Sequence, residues 1–259
     1  MINHISTFRN KLEAKELCLG TGITLCDPAV VEALAPSVDF FWIDMEHNPI
    51  GIETVLGHLI AARAGATPAL VRVPSSESSL LKRILDTGAE GIIVPQVRSA
   101  DEVREVVQTC RYKPLGNRGF GPRRPSDYGR RPLSRVLDEA KNGLFLSVQI
   151  ENTDAVNDLD EIVAIEGIDS IVVGPFDLSA SMGVLGDLDH PEVVATIKTV
   201  VRKAHEAGLW VGFGENAVAE NSVRWANLGA DWIQCGGDFA YLIKTADQLF
   251  ADVRAAVRS

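Results

Sequence analysis

Two carboxylates at matching places on successive strand-like segments are the first sign of chemistry in this chain. The segment Leu144-Phe-Leu-Ser-Val-Gln-Ile-Glu151 is apolar and ends in an acid, and so does Ile168-Asp-Ser-Ile-Val-Val-Gly-Pro-Phe-Asp177. A single amphipathic stretch, 155–165, separates them, which makes a β-α-β unit with parallel, adjacent strands. Glu151 and Asp177 are then expected side by side at the carboxyl ends of those strands. Two acids so placed repel each other unless a cation holds them. A hard divalent metal with open positions is the natural partner.

A second group ends another strand, Phe41-Trp-Ile-Asp-Met-Glu-His-Asn-Pro49. Strand alternation puts Trp42, Asp44 and Glu46 on one face and Ile43 and Met45 on the other. Burying charge is costly unless it is paired, so an acid, acid, histidine run at a strand end points to a site. His47 there suits general base chemistry near neutral pH, with Asp44 placed to orient its ring. In Val71-Arg-Val-Pro74 an arginine interrupts an apolar strand. Arg72 either pairs with Glu46 on the neighbouring strand or grips a substrate carboxylate or keto oxygen, and five donors permit both. Gln149 shares the face of Glu151. Gly174 and Pro175 bring backbone to a strand end, where it can approach a ligand and offer amide hydrogens. Gly212-Phe-Gly-Glu215 lacks the third glycine of a nucleotide loop and reads as a tight strand exit. His4, His58, His190 and His205 fall in helices or away from strand ends and read as surface or packing residues.

These groups need a scaffold that gathers strand ends. Strand-like runs fall at 17–25, 40–45, 69–73, 91–94, 144–149, 170–173, 209–213 and 231–235. Helical stretches fall at 29–34, 52–63, 76–86, 101–110, 155–165, 191–207, 217–227 and 238–257. Most strands are dense in Val, Ile, Leu or Phe, as expected when both faces are buried. Thr87-Gly-Ala-Glu-Gly-Ile and Leu228-Gly-Ala-Asp-Trp-Ile repeat one helix-stop, strand-start phrase, and Gly208 and Gly229 follow helix ends where a left-handed cap favours glycine. Eight such units predict an α/β fold, a (β/α)₈ TIM barrel, with its site at the carboxyl ends of the strands.

Composition limits the partners. The chain has 259 residues, is 46% hydrophobic and carries a net charge of −10, which argues against nucleic acid and anionic lipid. It holds no apolar run of about 18 residues and no apolar signal core near Met1. Cys18, Cys26, Cys110 and Cys235 lack metal-like spacing and read as reduced thiols of a cytoplasmic protein. Against that acidic background the irregular stretch 111–132 holds seven basic residues and one acid. It reads as a solvated loop, or as a lid or subunit contact presenting arginine to an anion, with Arg118, Arg123 and Arg124 as a cationic cluster. The last helix carries Phe239, Leu242, Ile243, Leu249, Phe250, Val253 and Val257 at helical spacing, a wide apolar face that its own barrel or a partner must cover. A homo-oligomer is therefore expected.

In order along the chain, Phe41-Trp-Ile-Asp-Met-Glu-His-Asn-Pro49, Val71-Arg-Val-Pro74, Val148-Gln-Ile-Glu151 and Gly174-Pro-Phe-Asp-Leu-Ser-Ala-Ser-Met-Gly183 resemble the HpcH/HpaI aldolases. These are class II pyruvate aldolases such as 4-hydroxy-2-oxoheptanedioate aldolase and 2-dehydro-3-deoxyglucarate aldolase, and the likeness runs over about residues 19–240. The resemblance implies a barrel of the pyruvate/phosphoenolpyruvate type in one domain, 1–259. It also implies a C-terminal helix exchanged between subunits and a trimer-based or hexameric assembly. It implies Mg²⁺ or Mn²⁺, or else Co²⁺, on Glu151 and Asp177. Arg72 would contact the keto oxygen of pyruvate, His47 with Asp44 would serve the acid–base step, and Gln149, Gly174 and Pro175 would lie around the bound keto acid. The implied reaction makes or breaks a carbon–carbon bond of a 4-hydroxy-2-oxo acid through a pyruvate enolate, with a small keto acid and an aldehyde as partners. The first strand departs from the family, which often carries an aromatic residue there: 17–25 has no tryptophan, so the resemblance names neither the acceptor wall nor the aldehyde. Lys82, Lys113 and Lys203 fall in helix or loop, which disfavours a Schiff base. Two other readings compete. One is a metal-enolate lyase or synthase acting on a CoA thioester or oxaloacetate, as in citrate-lyase-type relatives. The other is a barrel that binds a metabolite without turning it over.

Overall fold

The computed structural model describes residues 4–258. Eight parallel strands close into a barrel in sequence order, the last pairing with the first. They are β1 (Cys18–Ile23), β2 (Phe40–Asp44), β3 (Ala69–Arg72), β4 (Gly91–Val94), β5 (Phe145–Ile150), β6 (Ser170–Val173), β7 (Trp210–Glu215) and β8 (Trp232–Gly237). Every expected strand forms, within one or two residues of its expected bounds. The helices are α1 (Ile5–Glu13), α2 (Pro28–Leu34), α3 (Ile52–Ala64), α4 (Ser78–Asp86), α5 (Ala100–Cys110), α6 (Leu133–Asn142), α7 (Thr153–Asn157), α8 (Leu159–Val163), α9 (Pro175–Ser181), α10 (Pro191–Glu206), α11 (Ala219–Asn227) and α12 (Asp238–Arg258). The repeated helix-stop phrase behaves as expected: Gly88 and Gly229 sit at φ 90° and 103°, the left-handed region, two residues past the ends of α4 and α11.

Three helices, α1, α6 and α9, were not anticipated from the sequence, and one that was expected is broken. The stretch 155–165 divides into α7 and α8 at Asp158, whose backbone leaves helical geometry at φ −98° and ψ 9°. The Asp158 carboxylate accepts the N–H of Ala100 at 2.5 Å, which ties the break to the first residue of α5. The Asn152 side chain caps α7 by accepting from Ala155 N.

Two apolar layers follow from strand alternation. Outward-facing strand residues such as Ile43, Val71, Ile92, Val148, Ile171 and Val211 pack under the helices. Inward-facing Phe40, Trp42, Leu70, Ile93, Phe145, Val172 and Trp232 fill the barrel. At the amino end of the strands α1 closes the barrel, with Ile5, Phe8 and Leu12 buried. The Phe8 ring meets Phe40, Phe145 and Trp232 at centroid distances of 5.1, 5.2 and 6.0 Å. The barrel is thus apolar below and open above, where the inward positions turn polar.

The arginine-rich stretch lies on that lower face, and this corrects the expectation of a lid. It leaves the end of α5 and returns through α6 to the start of β5, so within the chain it is remote from the strands' carboxyl ends. Several of its cations serve internal ties. Arg111 donates to the carbonyls of Leu144 and Gly167 and to Asp169. Arg118 pairs with Asp86 at 3.1 Å and lies over the Tyr112 ring. Arg124 donates to Leu59 O. Of the expected cluster, Arg118 and Arg124 are thus engaged within the chain, while Arg123 is exposed.

Candidate active site

At the upper end the register brings the polar residues together. Asp44 is the direct neighbour of Arg72 across β2 and β3. The guanidinium forks onto that carboxylate, Nε to Oδ1 and Nη2 to Oδ2, both at 2.8 Å. Its Nη1 lies 3.0 Å from Glu46 Oε2. Both sequence readings of Arg72 are compatible, because this pairing with Asp44 and Glu46 leaves N–H groups on both Nη atoms for a ligand. The Trp42 ring lies under the guanidinium, 5.2 Å from Cζ, and prevents it from sinking into the barrel.

Asp44 does not orient His47. Its oxygens are taken by Arg72, by Asn48 Nδ2 at 2.7 Å and by Glu46 N at 3.1 Å. The acid beside the histidine is Glu46, whose Oε2 is 3.6 Å from His47 Nε2. The His47 side chain is 61% exposed and lines the cleft. Burial raises the Glu46 pKa, against the opposing pull of Arg72 and then His47.

Glu151 and Asp177 lie at the same end, though not at equivalent positions. Glu151 directly follows β5, whereas Asp177 is in the first turn of α9, a helical turn beyond β6. Glu151 is 1% exposed. It accepts from Gln96 N at 2.7 Å and from Gln149 Nε2. Burial, reinforced by Glu46 and Asp177, pushes its carboxyl up to about 8. Gly174 permits this packing: a Cβ there would stand 2.4 Å from Glu151 Oε2 and 2.9 Å from Gln149 Nε2. Pro175 then opens α9 at its first position, where its missing N–H costs no helical bond.

The residues present fit a divalent cation. They offer hard oxygen donors, and a cation would relieve the repulsion that Glu46 and Asp177 exert on buried Glu151. Among the described residues no three His, Cys, Asp or Glu side chains converge into a metal cluster. A cation here would take two carboxylates from the chain and leave the rest of its shell to substrate and water.

The cleft above these groups has a volume of about 350 Å³ and is lined from β1, β2, β3, β5, β6, β7 and β8. Of the candidate residues, His47, Arg72, Asp44, Gln149, Gly174, Pro175 and Asp177 line it, and Glu151 packs behind Gly174. Gly212 and Gly214 belong to β7, and a Cβ at Gly212 would strike the Trp232 ring at 2.2 Å, so glycine there makes room for the core. The other histidines lie elsewhere; His58 is buried in α3, and His205 pairs with Asp231 at the lower end. Among the described residues no lysine lines the cleft. Sequence reasoning missed Trp42 and Gln234 as cleft walls and Gln96 as a partner of Glu151. A glutamine inside the apolar strand Trp232-Ile-Gln-Cys was a readable signal. Gln96, held at φ 57° two residues past β4, was not.

Comparisons with known proteins agree with the barrel fold. Residues 25–244 match the family model described as HpcH/HpaI aldolase/citrate lyase. The chain is 34% identical over 246 residues to a hydroxypyruvate/pyruvate aldolase of Agrobacterium fabrum (94% of this chain, 92% of the relative). It is also 34% identical over 249 residues to a 2-keto-3-deoxy-L-rhamnonate aldolase of Escherichia coli (94% and 91%). The solved HpcH/HpaI aldolase of Desulfitobacterium hafniense DCB-2 superimposes with a TM-score of 0.88 at 31% identity, over 95% of this chain and 96% of that one. The citrate synthase SbnG superimposes with a TM-score of 0.87 at 25% identity over all of both chains.

Proposed function

The chain belongs to the HpcH/HpaI aldolase/citrate lyase family and is an aldolase-type lyase, and from that premise we propose a divalent-metal-dependent aldolase that makes or cleaves a 4-hydroxy-2-oxo acid through the enolate of pyruvate. The observation that carries this reading is the convergence of the Asp44–Arg72–Glu46 fork with Gln149, Glu151 and Asp177 on one arc of the barrel mouth. Glu151 and Asp177 would hold Mg²⁺, Mn²⁺ or Co²⁺, which when bound supplies Lewis-acid stabilisation of negative charge on the keto acid. Arg72, fixed in direction by Asp44 and Glu46, donates to the keto oxygen as charge develops there. Gln149 and the backbone at Gly174 and Pro175 bound the keto acid. His47 takes the methyl proton of pyruvate in the addition direction, or returns it to the enolate carbon after cleavage. Glu46 stands beside the ring, its Oε2 3.6 Å from Nε2, and limits where the imidazole can turn.

Two observations favour an aldolase over a citrate-synthase-like enzyme. The aldolase relatives share more identity, and among the described residues Arg72 is the one Lys or Arg side chain that lines the cleft, with His47 beside it, which suits one keto acid better than a tricarboxylate or a CoA polyanion. We further propose a homo-oligomer that covers α12, and a cytoplasmic protein whose four cysteines stay reduced. The deciding experiment is pyruvate release from a panel of 4-hydroxy-2-oxo acids, with and without a chelator. Metal-dependent release supports the proposal. Release unaffected by complete chelation, or activity confined to oxaloacetate and CoA thioesters, sinks it.

A further inference from the structure

The proposed keto-acid groups occupy β2, β3, β5 and β6, so the aldehyde must lie against the remaining arc of β7, β8 and β1. That arc is built around Gln234. On β8 it stands beside Gly214 of β7, and Gly22 of β1 flanks its other side. A Cβ at Gly22 would be 3.0 Å from its Nε2, and one at Gly214 would be 3.3 Å from its Oε1. Two glycines thus give the amide room to lie flat across the cleft wall.

The amide's orientation follows from its partner. Gly236 O needs a donor, so the Gln234 nitrogen faces it and donates. That leaves Oε1, an acceptor, beside Gly214, which itself lines the cleft. Thr24 repeats the arrangement: its hydroxyl donates to Asp238 Oδ1 at 2.6 Å, so it too offers the cleft lone pairs. Glu215 adds negative charge to the same arc while accepting from Asn216 N and Trp225 Nε1. Gln234 Oε1, Thr24 and Glu215 therefore give this wall acceptors and a carboxylate, with the Asn216 amide beside them, and Arg72 is already bound to Asp44 and Glu46 on the far side. Such a wall binds hydroxyl donors and repels a carboxylate.

We propose that Gln234 determines acceptor specificity, selecting an uncharged aldehyde that bears a hydroxyl group over a deoxy analogue and over an aldehyde with a carboxylate terminus. The inference rests on the aldolase reading above. The test measures kcat/KM for addition of pyruvate to glyceraldehyde, propanal and succinic semialdehyde, in the parent enzyme and in Gln234→Met, which keeps the length and removes the acceptor. The parent should prefer glyceraldehyde to propanal by about tenfold or more, the worth of one hydrogen bond of about 1.4 kcal/mol. Succinic semialdehyde should be the poorest of the three. Gln234→Met should lose most of the glyceraldehyde preference, and because the readout is a ratio within one preparation, any loss of folded or metal-loaded enzyme cancels. A parent ratio retained in Gln234→Met overturns the proposal, and so does a parent that prefers succinic semialdehyde. Exchange of pyruvate methyl protons into D₂O, run without aldehyde, separates the two levels. Exchange without aldehyde discrimination removes only the role of Gln234, whereas no exchange and no addition removes the aldolase reading with it.

Discussion

At the residue scale the site is a set of charges that hold one another in place. Arg72 is fixed by two acids and an indole, and Glu151 is held by an amide N–H and a glutamine while two acids press on it. Replacing Asp177 with Ala should abolish Mn²⁺ binding, followed by calorimetry, together with pyruvate release. Retention of either in the variant would remove Asp177 from the ligand set. Replacing His47 with Ala should leave metal binding in place and slow proton exchange between pyruvate methyl and D₂O by roughly 10²–10⁴-fold. Unchanged exchange would show that another group carries the proton.

At the scale of elements, α1 and the start of β4 form a second unit with its own pH dependence. Glu90, 7% exposed, accepts the N–H of His4 just before α1 at 3.0 Å. Burial pushes its carboxyl from 4.5 up to about 7, despite that hydrogen bond and the nearby Arg124. A folded pKa raised above the unfolded value means that the unfolded chain ionises first. Below pH 4.5 the group costs nothing; stability then falls as pH rises through the window from 4.5 to about 7 and levels off above it. The full shift is worth on the order of 3 kcal/mol. Glu90→Gln keeps an acceptor for His4 and removes the ionisation. Its melting temperature should match the parent near pH 4.5 and exceed it at pH 8, and a constant difference across that range would exclude the mechanism.

At the scale of the whole molecule the last helix carries an exposed apolar face. Along α12, Leu242, Ile243, Leu249, Phe250, Val253 and Val257 are each more than half exposed, with Val257 at 83%. Leu17, Leu19, Val218 and Val223 expose a further apolar area around β1 and α11. Contiguous apolar surface of this extent is rarely left to water. An oligomer should therefore be measured by light scattering at micromolar concentration, and a chain ending before α12 should aggregate. A stable, active monomer of the full chain would refute the assembly. No described helix is long and apolar enough to cross a membrane.

Sequence alone determined the barrel, because strand and helix periodicities are local and eight repeats of one unit admit few closures. It also determined which residue types stand at strand ends, since alternation sets the face and a charge on an inward face needs a reason. Asp44, Arg72, Gln149 and Glu151 were legible on those grounds, and the pairing of Arg72 with Glu46 was foreseen as one of two options. Only the tertiary structure decided who touches whom. Asp44 serves Arg72 rather than His47, because the β2–β3 register puts the arginine directly opposite and its fork saturates the carboxylate. Asp177 stands a turn beyond its strand, because α9 begins at Pro175 and lifts it there. The arginine-rich stretch faces away from the cleft, because a loop that follows a helix returns to the amino ends of the strands. Helix α1 escaped detection because its few apolar residues signal nothing until Phe8 meets the barrel's aromatic floor. Gln234 gained its place for the same kind of reason: two glycines distant in sequence had to be brought to its flanks before its acceptor oxygen could lie beside Gly214 in the cleft wall.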